Sequence, residues 1–304
     1  LLSGRDFETK EYRDDIVAES YQKLDAGIVQ FINQYNFTQF VMAIKGAGFV
    51  SSKQLNSQMT LDFAYTLYLM LRSDPTIPNE QIKRHVQKWF VLSTLTSRYI
   101  GSPETQMDRD MRNIEEKGFL NFKTEVEAST LSETFWTVTL PQNLETSSVN
   151  SPAFNTFLAA QINLNCNSLL MKGTKISDLI TISGDVHHIF PRNYLKKNGI
   201  DNKTKYNQVA NYIYLDTQVN KAIGDDPPFA YFSKVREQCR TKAITLGNIS
   251  DEETLYCNLE ENSIPHHIIS MDITDYESFL QERRKLMAKL MQRYYFCLLY
   301  TSPS

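Results

Sequence analysis

Residues 185–192 read Asp185-Val186-His187-His188-Ile189-Phe190-Pro191-Arg192, two adjacent imidazoles just ahead of a proline. The chain has only five histidines, and four of them fall in two such pairs, His187–His188 and His266–His267. The apolar run Leu179-Ile180-Thr181-Ile182 predicts a strand that delivers the first pair into a turn. One reaction served by such residues is phosphodiester hydrolysis. It needs a base to activate water, a cation for the developing charge and a fixed geometry. A neutral imidazole, with an unperturbed pKa of about 6.5, can accept a proton at neutral pH. Neighbours on a regular strand point to opposite sides, so one ring can face the water and the other a metal. An asparagine carbonyl from a following helix is a hard ligand suited to Mg²⁺. Two neutral protein ligands would leave the cation leaning on water and substrate phosphate for the rest.

The elements that must hold these residues can be read on either side. After the histidines, Asn193 to Asn198 predicts a short helix closed by Gly199, and Asn202-Lys203-Thr204-Lys205 a polar loop. The β-branched and aromatic run from Val209 to Leu215, carrying Asn211, predicts a second strand. Asp216 or Thr217 can cap a helix running through Asn220 to Ile223, and Pro228 can open the next one. Upstream, Val17, Tyr21, Leu24, Ile28, Phe31 and Tyr35 form one helical face. Further helices are expected from a Thr60 cap to Arg72, from near Asn79 with Ile82, Val86 and Trp89 inward, over Thr105 to Asn113, and over Ala153 to Leu164. A long amphipathic helix from Asp275 to Phe296, with Phe279, Leu286, Leu290 and Tyr294 on one side, closes the second domain. The polar stretch Pro141 to Pro152 is the best linker candidate. The expected organisation is a helical domain over 1–145, a second domain over 146–299 and a non-native tail over 300–304.

The run from Asp185 to Pro191, followed by Asn211 and then Asn220-Lys221, resembles the HNH (His-Me finger, ββα-metal) nucleases. The longer pattern, HHIFPRNYLKKNGI over 187–200 and VANYIYLDTQVNKAIGDDPPFAYF over 209–232, resembles the C-terminal nuclease domain of GmrSD-type modification-dependent restriction enzymes. Arg98-Tyr99-Ile100-Gly101-Ser102-Pro103 with Asp108-Arg109-Asp110 resembles the helical region ahead of that domain. The resemblance implies a mostly α protein with a small α+β core, the ββα fold embedded in helices. It implies that His188 is the general base, that His187 and Asn220 are metal ligands, and that Asn211 orients the loop without binding metal. The implied reaction is hydrolysis of DNA to a 5′-phosphate and a 3′-hydroxyl with Mg²⁺, or Mn²⁺ in its place. The partner is DNA, modified or not, and a homo-oligomer is left open. Two departures stand out. The Asp-Gly-Gln-Gln-Arg motif of the family's N-terminal domain, linked to nucleotide use, does not occur here, which fits an N-terminally truncated chain. Histidine at 187, where aspartate is usual, removes an anionic ligand.

Plainer readings stand beside these. An isolated His–His can be no more than a capped turn, but the strand–Asn211–helix–Asn220 order that follows weighs against this at 187–188. His266-His267 lacks that order and serves as an internal decoy. His85, between Ile82 and Trp89 on one helical side, reads as a core-edge histidine. Asp225-Asp226, just before two prolines, reads as a turn and helix cap rather than a pair of metal carboxylates. The formal charge of −3 does not mark the whole chain as nucleic-acid binding, so such contact must come from a local patch. Near the histidines, Arg192, Lys196, Lys197, Lys203, Lys205 and Lys221 outnumber Asp185, Asp201 and Asp216. Arg192 and Lys221 flank the proposed catalytic residues most closely, and a solvated loop face is the plain alternative for the lysines.

With 304 residues, 41% apolar and 12% aromatic, the chain can bury a core and has length for about two domains. Its four cysteines are scattered, which suits a reducing cytosol and argues against a zinc knuckle. No run approaches the length needed to span a membrane. The rival to a nuclease is a non-catalytic DNA-binding module with a degenerate site, which would bind DNA without regard to chelator. A structural metal site is a third possibility, disfavoured by the lack of paired cysteines.

Overall fold

The computed structural model describes residues 11–182 and 186–298; Asp185 and the 300–304 tail lie outside them. The protein is mostly α-helical. Its first half comprises α1 (Asp14–Phe31), α2 (Gln34–Gly46), α3 (Gln58–Ser73), α4 (Asn79–Leu95), α5 (Pro103–Lys117), α6 (Phe119–Thr130) and α7 (Leu140–Asn143). Local chemistry sets the starts. Asn33 and Ser57 accept from the backbone N–H groups of Asn36 and Thr60, capping α2 and α3, and Pro103 opens α5. The α3 cap is therefore Ser57, and Thr60 lies buried inside the helix. Helices α3 and α4 pack as a hairpin, with Trp89 fully buried among Phe63, Phe119 and Phe122. Below them Asp110, also fully buried, takes both arms of Arg98 and the hydroxyl of Tyr99.

The second half comprises α8 (Pro152–Asn163), α9 (Ile176–Ile182), β1 (His187–His188), α10 (Arg192–Lys197), α11 (Lys203–Tyr206), β2 (Tyr212–Ile213), α12 (Thr217–Ile223), α13 (Pro228–Thr241), α14 (Glu252–Glu261) and α15 (Tyr276–Cys297). The sheet has two strands, antiparallel, with His187 opposite Ile213 and His188 opposite Tyr212. The run 179–182 is the end of helix α9, not a strand. Four apolar residues are too few to separate one helical turn from a strand by pattern. Of the expected strand 209–215, only Tyr212–Ile213 pairs, because Val209–Asn211 coil into a 3₁₀ turn.

The core runs through both halves without a break at 145. Most of the stretch from 141 to 152 is exposed, as expected of a linker, but it is anchored to the core at three points. Leu144 is fully buried, Thr146 O accepts from Val209 N, and Ser147 O accepts from the Tyr212 hydroxyl. The closing helix α15 packs on α7 and α8 and reaches back to the first half. There the Tyr295 hydroxyl donates to Glu127 of α6 at 2.6 Å and Tyr294 to Ala47 O at 2.5 Å. Gly48 sits at a similar junction, with a φ of +96° and Ala159 O only 2.1 Å from where a Cβ would stand. No other residue fits that approach of the α2 end to α8. The first helix forms but ends at Phe31, which leaves Tyr35 on α2, and Tyr21, Leu24, Ile28, Phe31 and Tyr35 stay exposed. Periodicity reports a face, not what covers it. Among the described residues no helix is long and apolar enough to cross a membrane.

Candidate functional site

The site grows from the turn between β1 and α10. Asn211 has no exposed surface, and its side chain is used from both ends. Its Oδ1 accepts from Phe190 N at 2.8 Å, and its amide donates to Phe190 O at 3.1 Å and Tyr206 O at 3.4 Å. Its own carbonyl accepts from Ile189 N at 2.9 Å. The remaining carbonyl of the turn, Ile189 O, accepts from the buried Tyr231 hydroxyl at 3.0 Å. Every hydrogen bond that could loosen residues 189–190 is thus committed to a buried partner, which fixes the backbone that carries His188. The 3₁₀ coil at 209–211 is what turns Asn211 inward to do this.

His188 is half-buried and meets the ring of Tyr212, its cross-strand partner, edge to face at 5.3 Å. Its Nε2 lies 2.9 Å from Asn207 Oδ1. An amide oxygen can only accept, so Nε2 carries the hydrogen and Nδ1 holds the lone pair. Burial is the main cause that holds the His188 pKa below the ordinary imidazole value. The Asn207 hydrogen bond works against it, while Arg192 and His187 add to the lowering. The ring is therefore neutral at pH 7. That electrostatic effect also places Arg192, exposed on the first turn of α10, within range of His188.

His187 is half-buried on the same strand, and the pleat turns it away from His188. Helix α12 follows β2, capped by the Asp216 carboxylate through Gln218 N at 2.8 Å and Val219 N at 3.2 Å. On it Asn220 is half-buried, and its side-chain amide makes no hydrogen bond among the described residues. A half-buried amide oxygen without a hydrogen-bond partner fits the role of hard ligand, while the imidazole of His187 is a borderline one. Among the described residues no group of three or more His, Cys, Asp or Glu side chains converges. Asn211 is joined to His188 through the 189–190 turn and Arg192 acts on it electrostatically, whereas Asn220 and Lys221 are linked to them only by the chain order β2–α12.

Of the cations, Arg192, Lys203, Lys205 and Lys221 are exposed, and Lys196 lies over the Tyr206 ring at 5.2 Å. Lys197 is tied to Asp225 at 3.1 Å and Lys234 to Asp226 at 2.6 Å, so the two aspartates serve surface ion pairs. His266 and His267 are exposed and pair with Glu260 and Glu282. His85 sits at the core edge against Phe119, its ring nitrogens buried and unpartnered.

Sequence reasoning missed two residues of the frame. Asn207 lies in a polar loop, and no spacing distinguished it from Asn193, Asn198 or Asn202. Arg283, on α15, is fully buried without a carboxylate. It donates to Ala210 O at 2.9 Å and Tyr212 O at 2.7 Å, on either side of Asn211, and to Asn262 O at 3.2 Å. Its place between Leu280, Met287 and other buried α15 residues was the signal available. Comparison with protein-family models, with curated proteins and with solved structures finds no match to this chain.

Proposed function

We propose that the chain is a divalent-metal-dependent DNA endonuclease of the HNH type, with β1, β2 and α12 as its ββα core, and that it belongs with modification-dependent restriction enzymes. The observation that carries this reading is the state of His188. It is a neutral imidazole, half-buried, with one nitrogen fixed by Asn207 and the other left as a lone pair, on a turn clamped by Asn211. A general base needs that combination of protonation state and fixed aim. In the proposed reaction His188 Nδ1 takes a proton from water as the water oxygen attacks phosphorus. The bond to O3′ breaks, leaving a 3′-hydroxyl and a 5′-phosphate. Arg192 and the exposed lysines of α10, α11 and α12 hold the phosphate backbone, a local patch on a chain of net negative charge. His187 and Asn220 are the residues that would hold a divalent cation, which when bound supplies charge stabilisation at the scissile phosphate.

Supercoiled plasmid, modified and unmodified, is incubated with the protein in Mg²⁺ or Mn²⁺, with and without EDTA. Nicking or cutting that EDTA abolishes is expected, with a preference for modified DNA as the mark of the restriction class. DNA binding that ignores chelator, with no cleavage in any metal, would replace this reading with that of a binding module.

A further inference from the structure

A cavity of about 520 Å³ lies between the end of α14 and α15, apart from the His188 turn. Leu286 and Leu290 give it an apolar wall, and Lys289 and Arg293 stand on the same helix one turn apart. Glu260 and Glu282 also line the cavity, but neither is paired with these two cations. Glu260 pairs with His266 and Glu282 with His267, both at 3.1 Å, and Glu261 is bound by the backbone and amide of Asn167. Lys289 and Arg293 are in no ion pair among the described residues. Side chains at this spacing are neighbours on a helix surface, so the two cations can share one anion.

Ser263, also on the cavity wall, is the second and independent observation. It follows the α14 end in a left-handed conformation, φ +52°, with Ser263 N bonded to Glu260 O and Ile264 N to Leu259 O. That pattern of helix termination ordinarily takes glycine. Serine accepts strain there, and its hydroxyl adds a second cost, because it is 3% exposed and its Oγ has no hydrogen-bond partner. One torsion reorients a serine hydroxyl, and an oxygen entering the cavity would give it the partner it lacks.

We infer that this cavity binds a small organic phosphate with a flat or apolar body. The phosphate bridges Lys289 and Arg293, the body lies on Leu286 and Leu290, and Ser263 bonds an oxygen of the ligand. A phosphate monoester suits two cations outside any ion pair better than a carboxylate does, since it carries close to two negative charges at neutral pH. The inference does not depend on the nuclease reading, and its test needs no nuclease activity.

Phenyl phosphate, benzoate and inorganic phosphate are titrated into the full chain by calorimetry. Saturable one-to-one binding of phenyl phosphate is expected, with benzoate and inorganic phosphate weaker. Replacing both exposed cations, Lys289→Ala with Arg293→Ala, is expected to weaken phenyl phosphate by about tenfold or more, with an unchanged circular dichroism spectrum. Ser263→Gly is expected to raise Tm, by relieving the strain, while weakening phenyl phosphate. No saturable binding to the parent chain overturns the inference, and so does binding that the double variant leaves intact. Benzoate binding as tightly as phenyl phosphate overturns the choice of phosphate. A Ser263→Gly variant that gains stability and binds undiminished removes the serine from the site.

Discussion

At His187–His188 the backbone is extended and paired to Tyr212–Ile213, His188 is half-buried, and its Nε2 meets a neutral amide. At His266–His267 the backbone is a 3₁₀ turn after Pro265, both rings are exposed, and each Nε2 meets a carboxylate at 3.1 Å. The dipeptide is the same, and the surroundings divide the two cases. An exposed histidine–carboxylate pair is screened by solvent and contributes little to anything. An amide acceptor in a half-buried place selects a tautomer and leaves the second nitrogen a lone pair. The lesson is that the chemistry of a histidine is set by what its other nitrogen touches, and that partner lies elsewhere in the chain: Asn207 in one case, Glu260 and Glu282 in the other.

The contrast can be attacked directly. His188→Ala is expected to lower plasmid nicking by about 10²–10⁴-fold, the usual range for loss of a general base, with Tm unchanged. His267→Ala should leave nicking within about twofold of the parent. Equal losses from the two variants would erase the distinction between the pairs. Next comes Asn211→Ala, which strips Phe190 N and Phe190 O of their buried partner. A loss of about 2–4 kcal/mol in urea unfolding is expected, from two orphaned backbone groups and a small void. A loss under about 0.5 kcal/mol would mean that the turn does not depend on its clamp.

Asn207→Ala tests the tautomer and is expected to cost about tenfold in nicking rate. Its pH signature carries the sign. Burial lowers the His188 pKa and the Asn207 hydrogen bond raises it, so the acid limb of the parent lies below the ordinary value of 6.5. Removing Asn207 should move that limb to still lower pH, and a limb that moved upward would contradict the assignment of Nε2 as the donor. The smallest effect concerns His85, a third kind of histidine, with buried nitrogens and no partner. Burial holds its pKa down to about 4 against 6.5 in the unfolded chain. As pH falls from 6.5 toward 4 the unfolded chain takes up this proton and the folded chain does not, so stability is lost across that window. His85→Leu should flatten this part of the Tm–pH curve. After discounting for solvent screening the gain is on the order of 1 kcal/mol at the acid end. An unchanged slope would show that other groups govern the acid limb.

Local signals in the sequence marked the helices well where a cap or proline is read as starting them, as at Asp216 and Pro228; the helix expected from Thr105 begins two residues earlier, at Pro103. They failed where a distant partner decides. The 179–182 run is apolar and β-branched in either conformation. Residues 209–211 leave the strand because the Asn211 side chain must turn toward Phe190, a contact across 21 positions. The expected break near 145 had the composition of a linker, yet Leu144 is pulled into the core and Thr146 and Ser147 are bonded to the site strand. His188 and Asn211 stood out by type and order. Asn207 and Arg283 did not, since a loop asparagine and an arginine on an amphipathic helix both read as solvent-facing until burial is known.

The position of Arg283 bears on the order of assembly. The carbonyls of Ala210 and Tyr212, which frame Asn211, take their donor from 73 and 71 residues further along the chain. A chain still lacking its final helix has both histidines but nothing to satisfy those carbonyls once they are buried. The β1–β2 turn therefore takes its final form only after α15 has docked, and a nascent chain on the ribosome carries the motif long before it carries the site.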